Sequence, residues 1–199
     1  MRYNFLLITS LCLFFIGFSS CTEDNEVVSV DNNGVSTRAE RGFFIYPTVS
    51  EIMSQQVVKD QMDAAWEKMK SSASKDARYE YGFYIYKKQP DGEYYVGNII
   101  QGNKVQGCEG TNASISLGIP TSNIDVCAFF HCHTTLHYCP SSTSRATGPS
   151  QSDINFSKDQ ELPGILRDYS DKEIQGGHDI NDPYTDKNFG IIQKPKKPY

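Results

Sequence analysis

His131 and His133 bracket Cys132 at the end of a nearly continuous apolar run, Ile124 to Phe130. On a strand, residues at i and i+2 project to the same face. The two imidazoles would therefore stand side by side while Cys132 points the other way. Paired imidazoles suit a borderline cation such as Zn2+, which catalytic sites hold with three protein ligands and one open position. Asp153 is the natural third ligand. It falls in the first turn of the next expected helix, where a carboxylate is electrostatically favoured. Such a site lowers the pKa of a water and polarises a carbonyl. Amide hydrolysis also needs a group to pass a proton from water to the leaving amine. Glu80, opening an aromatic-rich segment, could do this, and the Ser150 hydroxyl could donate to an oxyanion. Each feature alone has a plain structural reading: a chance His-x-His, a solvent-facing Glu80, and an ordinary helix start with Ser150 as N-cap and Asp153 at N3. Their order and placement carry the functional reading.

The elements that must position these residues follow from local pattern. Arg41 to Tyr46 reads as a short strand ended by Pro47. Thr48-Val49-Ser50-Glu51 has the form of a capping box. Ile52, Met53, Val57, Val58, Met62, Ala65, Trp66 and Met69 then recur at helical spacing, which predicts a helix from Ser50 to Ser72 with this stripe as core packing. Glu80 to Tyr86 alternates as a strand. Pro90-Asp91-Gly92 makes a turn, and Tyr94 to Gln101 returns as the second strand of a hairpin. One short strand is expected near Ile115. The run from Ile124 suits a central buried strand leading into His131. Residues 134–149 read as a loop, Ser150 to Asp159 as a helix, and Phe189 to Gln193 as a late strand. The expected class is α/β, a mixed β-sheet flanked by helices.

Glu80, then His131-x-His133, then Ser150-x-x-Asp153 resembles the JAMM motif of the JAB1/MPN metalloprotease family. The resemblance spans residues 41–193, with only the motif positions specific. It implies a JAB/MPN, cytidine-deaminase-like architecture and one Zn2+ per chain held by His131, His133 and Asp153. It also implies Glu80 as acid/base and Ser150 as stabiliser of the tetrahedral intermediate. The pattern departs from the family in one respect. The sixteen residues 134–149 between His133 and Ser150 exceed the usual spacing by about nine, and Thr134 stands where proline is common.

The N-terminus sets the compartment. Arg2, an apolar stretch from Phe5 to Phe18, then Ser19, Ser20 and Cys21 have the form of a secretory signal peptide too short for a transmembrane helix. Phe18-Ser19-Ser20-Cys21 resembles a lipobox, which implies lipidation at Cys21. The acidic cluster after it resembles the sorting signals of surface-displayed lipoproteins of Bacteroidota. Residues 21–40 read as a flexible tether, 41–193 as the metallohydrolase domain and 194–199 as a basic tail. The expected location is the cell envelope, with the protein anchored to the outer membrane. The 199-residue chain carries a net charge of −5. Removal of a leader holding Arg2 makes that more negative, which argues against a nucleic-acid partner. Cys108, Cys127, Cys132 and Cys139 suit an oxidising compartment. Four cysteines allow three pairings, and Cys132 with Cys139 and Cys108 with Cys127 is the expected one, the first closing a loop beside the site.

The remaining features have bland readings. His137 is expected as a loop histidine rather than an extra ligand, and His178 as part of a surface turn. Asn112-Ala113-Ser114 matches a sequon without significance in a bacterium. The leading function is a zinc metallopeptidase or isopeptidase acting on a peptide or protein. The alternatives are a catalytically inactive MPN-like binding lipoprotein and, third, a thiol hydrolase using Cys127 or Cys132.

Overall fold

In this computed structural model the described residues are 43–108 and 113–198, together with two short strands, β1 (Ser29–Val30) and β2 (Ser36–Thr37). The leader segment, Cys21, Asn112 and Tyr199 lie outside the described residues. The chain divides into two units. In Met1–Glu40, β1 pairs antiparallel with β2. All other elements belong to Arg41–Tyr199.

The second unit opens with β3 (Phe43–Phe44), which pairs with the C-terminal strand β12 (Lys197–Pro198) instead of running on to Tyr46. Two helices follow, α1 (Val49–Ser54) and α2 (Gln56–Ser72), in place of one continuous helix. The capping box at Thr48 and Glu51 starts α1. Gln55 then takes an extended conformation, ψ 129°. The break is stabilised by polar side chains, since Ser54 Oγ and Gln55 Nε2 both donate to the Glu51 carbonyl freed at the helix end. The apolar stripe crosses the break, burying Ile52 in α1 and Val58, Met62, Ala65, Trp66 and Met69 in α2.

Six strands form the main sheet: β4 (Tyr81–Lys87), β5 (Tyr94–Val96), β6 (Ile100–Gln101), β7 (Val126–Cys132), β9 (Gly164–Tyr169) and β11 (Tyr184–Phe189), in the order β11-β9-β7-β4-β5 with β6 also on β4. β7 and β9 are parallel and the other pairs antiparallel, so the sheet is mixed, as expected. The returning strand is split over residues 97–99, where Gly97 still donates to the Tyr84 carbonyl of β4 at 2.8 Å. No strand forms at Ile115.

Two strands of the main sheet run where no strand was expected. β9 has the sequence Gly-Ile-Leu-Arg-Asp-Tyr, buried at every position although it carries Arg167 and Asp168. β11 is polar and ends at Phe189, where the expected late strand would begin. A separate ribbon pairs β8 (Ser144–Ala146) with β10 (Glu173–Gln175).

Every residue of β7 is buried. Alternation sends Ala128, Phe130 and Cys132 into the core under α2, with Phe83, Ile85, Trp66 and Met69. Phe129 joins the opposite core with Tyr84, Leu166 and Phe189, partly covered by Phe156 of helix α3 (Gln151–Asp159). Each fully buried side chain of this size contributes roughly 1.5–3 kcal/mol of transfer free energy. In α3 Ser157 is the one fully buried residue, with Ile154 and Phe156 partly buried against the core. Among the described residues no helix is long and apolar enough to cross a membrane.

Candidate functional site

β7 delivers both histidines to the α3 side of the sheet. His131 is opposite Gly82 on β4 and beside Leu166 on β9. Its ring lies among Phe129, Phe189 and His133, at centroid distances of 6.4, 5.7 and 5.2 Å. Gly82 is needed here: a β-carbon would collide with the Phe130 carbonyl and press on His131 Cβ at 3.0 Å. His133 follows the strand, its backbone N–H continuing the ladder to the Arg167 carbonyl at 3.2 Å.

Asp153 arrives from the first turn of α3, and its helix cap sets its position. Ser150 Oγ accepts from the Asp153 amide at 3.2 Å, and Asp153 Oδ2 accepts from the Ser150 amide at 2.7 Å. The carboxylate then reaches both imidazoles. Oδ1 lies 3.4 Å from His131 Nε2, and Oδ2 lies 3.6 Å from His133 Nε2. These separations exceed those of good N–H···O bonds. Tetrahedral zinc with bonds of about 2.0–2.1 Å would hold its donors about 3.3–3.4 Å apart. One donor atom from each of the three residues lies within 4.8 Å of the other two. His131 Nε2 is buried without a hydrogen-bond partner, a costly state that a bound cation relieves. His131, His133 and Asp153 can therefore hold a metal ion.

The electrostatics match a site prepared for positive charge. Burial, with the neighbouring His133, pulls His131 down to about 4, so its ring is neutral. Burial also depresses His133, but Asp153 and Asp168 outweigh it and raise the group to about 9. Asp153 is pushed up by burial and held well below the usual carboxylate range by His133, His131 and Ser150. Glu80 is buried and lines the same cavity, and desolvation raises its carboxyl to about 7 despite the nearby His133. It sits just before β4, its carbonyl accepting from Gly102 at 2.8 Å.

The cavity has a volume of about 660 Å³ and two kinds of wall. Ile115, Leu117, Phe129 and Phe156 make an apolar side next to His131, while Ser144, Thr147, Ser150 and Ser152 bring hydroxyls. Glu80, His131, His133, Ser150 and Asp153 all face this one space.

The disulfide expectation is corrected. Cys108 bonds to Cys139, with 5.5 Å between their Cα atoms, while Cys127 and Cys132 are free. Both free cysteines point from β7 into the core under α2: Cys132 by alternation with Ala128 and Phe130, and Cys127 at the irregularity where the β4–β7 register shifts between Ile85 and Tyr86. Their thiols are taken up by backbone carbonyls, Cys127 Sγ donating to Ile85 at 3.4 Å and Cys132 Sγ to Ala65 at 3.8 Å. Burial pushes both thiols up to about 12, so neither is a ready nucleophile near neutral pH.

The stretch 134–149 is ordered by more than the disulfide. His178, expected in a bare surface turn, accepts from the Leu136 amide through Nε2 at 3.1 Å and contacts Asp182 through Nδ1. His137 donates from Nδ1 to the His178 carbonyl at 2.6 Å, a structural role for a loop histidine. Pairing of β8 with β10 completes the anchorage.

Two neighbours of the site escaped the sequence reading. Asp168 of β9, fully buried, contacts His133 Nδ1 at 2.9 Å. Arg145 of β8 forks onto Asp168 at 2.9 and 2.6 Å. Only the oddity of two charges inside Ile165-Leu166-Arg167-Asp168-Tyr169 could have signalled Asp168, and Arg145 carries no such local signal. No family model, curated protein or solved structure matches this chain.

Proposed function

We propose that this protein is a zinc-dependent metallopeptidase or isopeptidase of JAMM type, displayed on the cell envelope through a lipid at Cys21. The observation that carries the reading is the convergence of His131 Nε2, His133 Nε2 and the Asp153 carboxylate at 3.4–3.6 Å beside the buried carboxyl of Glu80. The JAB/MPN architecture belongs to this proposal and is compatible with the mixed sheet, whose central strand leads into the two histidines.

A bound zinc ion supplies a water acidified to near neutral pH and a Lewis acid for the scissile carbonyl. Everything else falls to the chain. Glu80, with a carboxyl poised at about 7, takes a proton from the attacking water and returns it to the leaving nitrogen. Ser150 Oγ accepts from the Asp153 amide, which leaves its proton to donate to the oxyanion. The apolar wall from Ile115 to Phe156 takes up an apolar part of the substrate and keeps water from the reacting carbonyl.

The test is metal analysis of the full chain purified in detergent, beside His131→Ala, followed by incubation with a mixed peptide library. About one zinc per chain, absent in the variant, with chelator-sensitive cleavage, is the expected result. A folded protein that takes up no metal from added zinc would remove the reading. Metal without cleavage would favour a binding lipoprotein on the same scaffold.

A further inference from the structure

We propose that Asp168, locked by Arg145, is a positioning residue that fixes the His133 ring so that its Nε2 faces the metal. This rests on the metal reading of the site. Asp168 is fully buried, and its two carboxylate oxygens accept five hydrogen bonds. Oδ1 takes the Tyr169 amide at 2.9 Å and one Arg145 nitrogen at 2.6 Å. Oδ2 takes the other Arg145 nitrogen, the Gly148 amide and His133 Nδ1, each at 2.9 Å. A carboxylate saturated this way cannot rotate or donate. His133 Nδ1 must then carry the proton, which leaves the Nε2 lone pair toward His131 and Asp153. Metal-binding histidines commonly need such a partner to fix the tautomer and orient the ring.

Arg145 lines the cavity, but its guanidinium is already committed. Besides Asp168 it donates to the Thr134 carbonyl, at 3.2 Å from Nε and 2.7 Å from one terminal nitrogen, and to the Ala146 carbonyl at 3.1 Å. It therefore has little left for a substrate carboxylate. Arg145 stands in the stretch 134–149, the one departure from the resembled spacing. The extra residues do not push Asp153 away from the histidines. They carry the arginine that holds the partner of His133, and they are tied down by Cys108–Cys139 and by β10.

The experiment is Co2+ titration of the full-length protein, read by affinity and by the visible absorption of the bound ion, for the wild type, His131→Ala, Asp168→Asn, Arg145→Gln and Arg145→Lys. Wild type is expected to bind one Co2+ with the intense spectrum of a low-coordinate site. Asp168→Asn and Arg145→Gln should weaken binding about 10–100-fold and alter that spectrum, and Arg145→Lys should restore part of the affinity. In the wild type the His133 Nδ1–H resonance should also exchange slowly with solvent, and in Asp168→Asn rapidly. Should Asp168→Asn fail to fold, the Arg145 pair decides by itself, since it leaves the carboxylate and its amide bonds in place. Folded variants with wild-type affinity and spectrum would overturn the positioning role alone. Failure of the wild type to bind Co2+, or equal binding by His131→Ala, would overturn the metal reading and this inference with it.

Discussion

Ser150 and Asp153 cap each other: the Asp153 carboxylate accepts the Ser150 amide at 2.7 Å while the Ser150 hydroxyl accepts the Asp153 amide at 3.2 Å. The structural and the chemical readings of this pair are therefore the same arrangement. The cap that starts α3 also aims the carboxylate at His131 and His133. Substitution can separate the two parts. Ser150→Ala should cost about 1 kcal/mol of stability, the usual value of an N-cap, keep the metal, and lower hydrolysis about 10²–10³-fold through loss of an oxyanion donor. Asp153→Asn should weaken metal binding at least tenfold. Denaturant melts, metal titration and turnover on one set of proteins would check this. Unchanged metal affinity in Asp153→Asn would point to another third ligand.

Glu80→Gln should retain the metal and lose hydrolysis by about 10²–10⁴-fold, the usual contribution of a positioned acid/base. Burial has raised this carboxyl from 4.5 to about 7. Its native state therefore resists ionisation, and stability present at low pH is lost as pH rises through 7. The neutral amide escapes that loss, so metal-free Glu80→Gln should melt higher than wild type at pH 8. Full activity in the variant would remove Glu80 from the mechanism.

Metal uptake should release protons. In the metal-free protein His133 is raised to about 9 from 6.5, so at pH 8 its ring is mostly doubly protonated. A metal needs Nε2 free. His131, pulled down to about 4, has no proton to lose at this pH. One metal bound at pH 8 should thus release close to one proton, and affinity should rise with pH up to about 9. The same shift gives the metal-free chain a stability contribution that is complete below 6.5 and lost as pH rises through 9. Calorimetric titrations in buffers of different ionisation enthalpy count the protons. No release at pH 8 would mean that Asp153 and Asp168 do not hold His133 protonated in the metal-free protein.

The disulfide closes a loop with a sequence separation of 31. Loop-closure entropy for that length corresponds to about 3–4 kcal/mol. For a chain of this size that is a fall of about 7–15 °C in Tm for Cys108→Ser/Cys139→Ser. Metal affinity should change far less, because β8–β10 pairing and the His178 contacts still hold the stretch 134–149. A Tm equal to wild type would mean that the bridge adds nothing to the fold.

Legibility in the sequence followed the range of the signal. The apolar run into His131 and the cap at Ser150 are local patterns, and both elements form close to where they were expected. The helix break at Gln55 was hidden because apolar residues lie on both sides of it and glutamine is an ordinary helix residue. β9 was hidden because Arg167 and Asp168 interrupt its apolar character, and what permits their burial lies far away in sequence. Arg167 pairs with Asp63 and Asp186, and Asp168 with Arg145 and His133. The cysteine pairing failed for the same kind of reason: chain spacing does not reveal that Cys127 and Cys132 face the core under α2.

The seating of α3 gives the ligand set a second meaning. Ser157 is its one fully buried residue, and Ile154 and Phe156 are the apolar side chains that seat it on the sheet. A cation shared by β7 and α3 would join a fully buried strand to a helix with one fully buried residue. The ion would then act as a latch: local opening of the domain would begin at α3, and loading the metal would slow proteolytic nicking there before raising the stability of the whole.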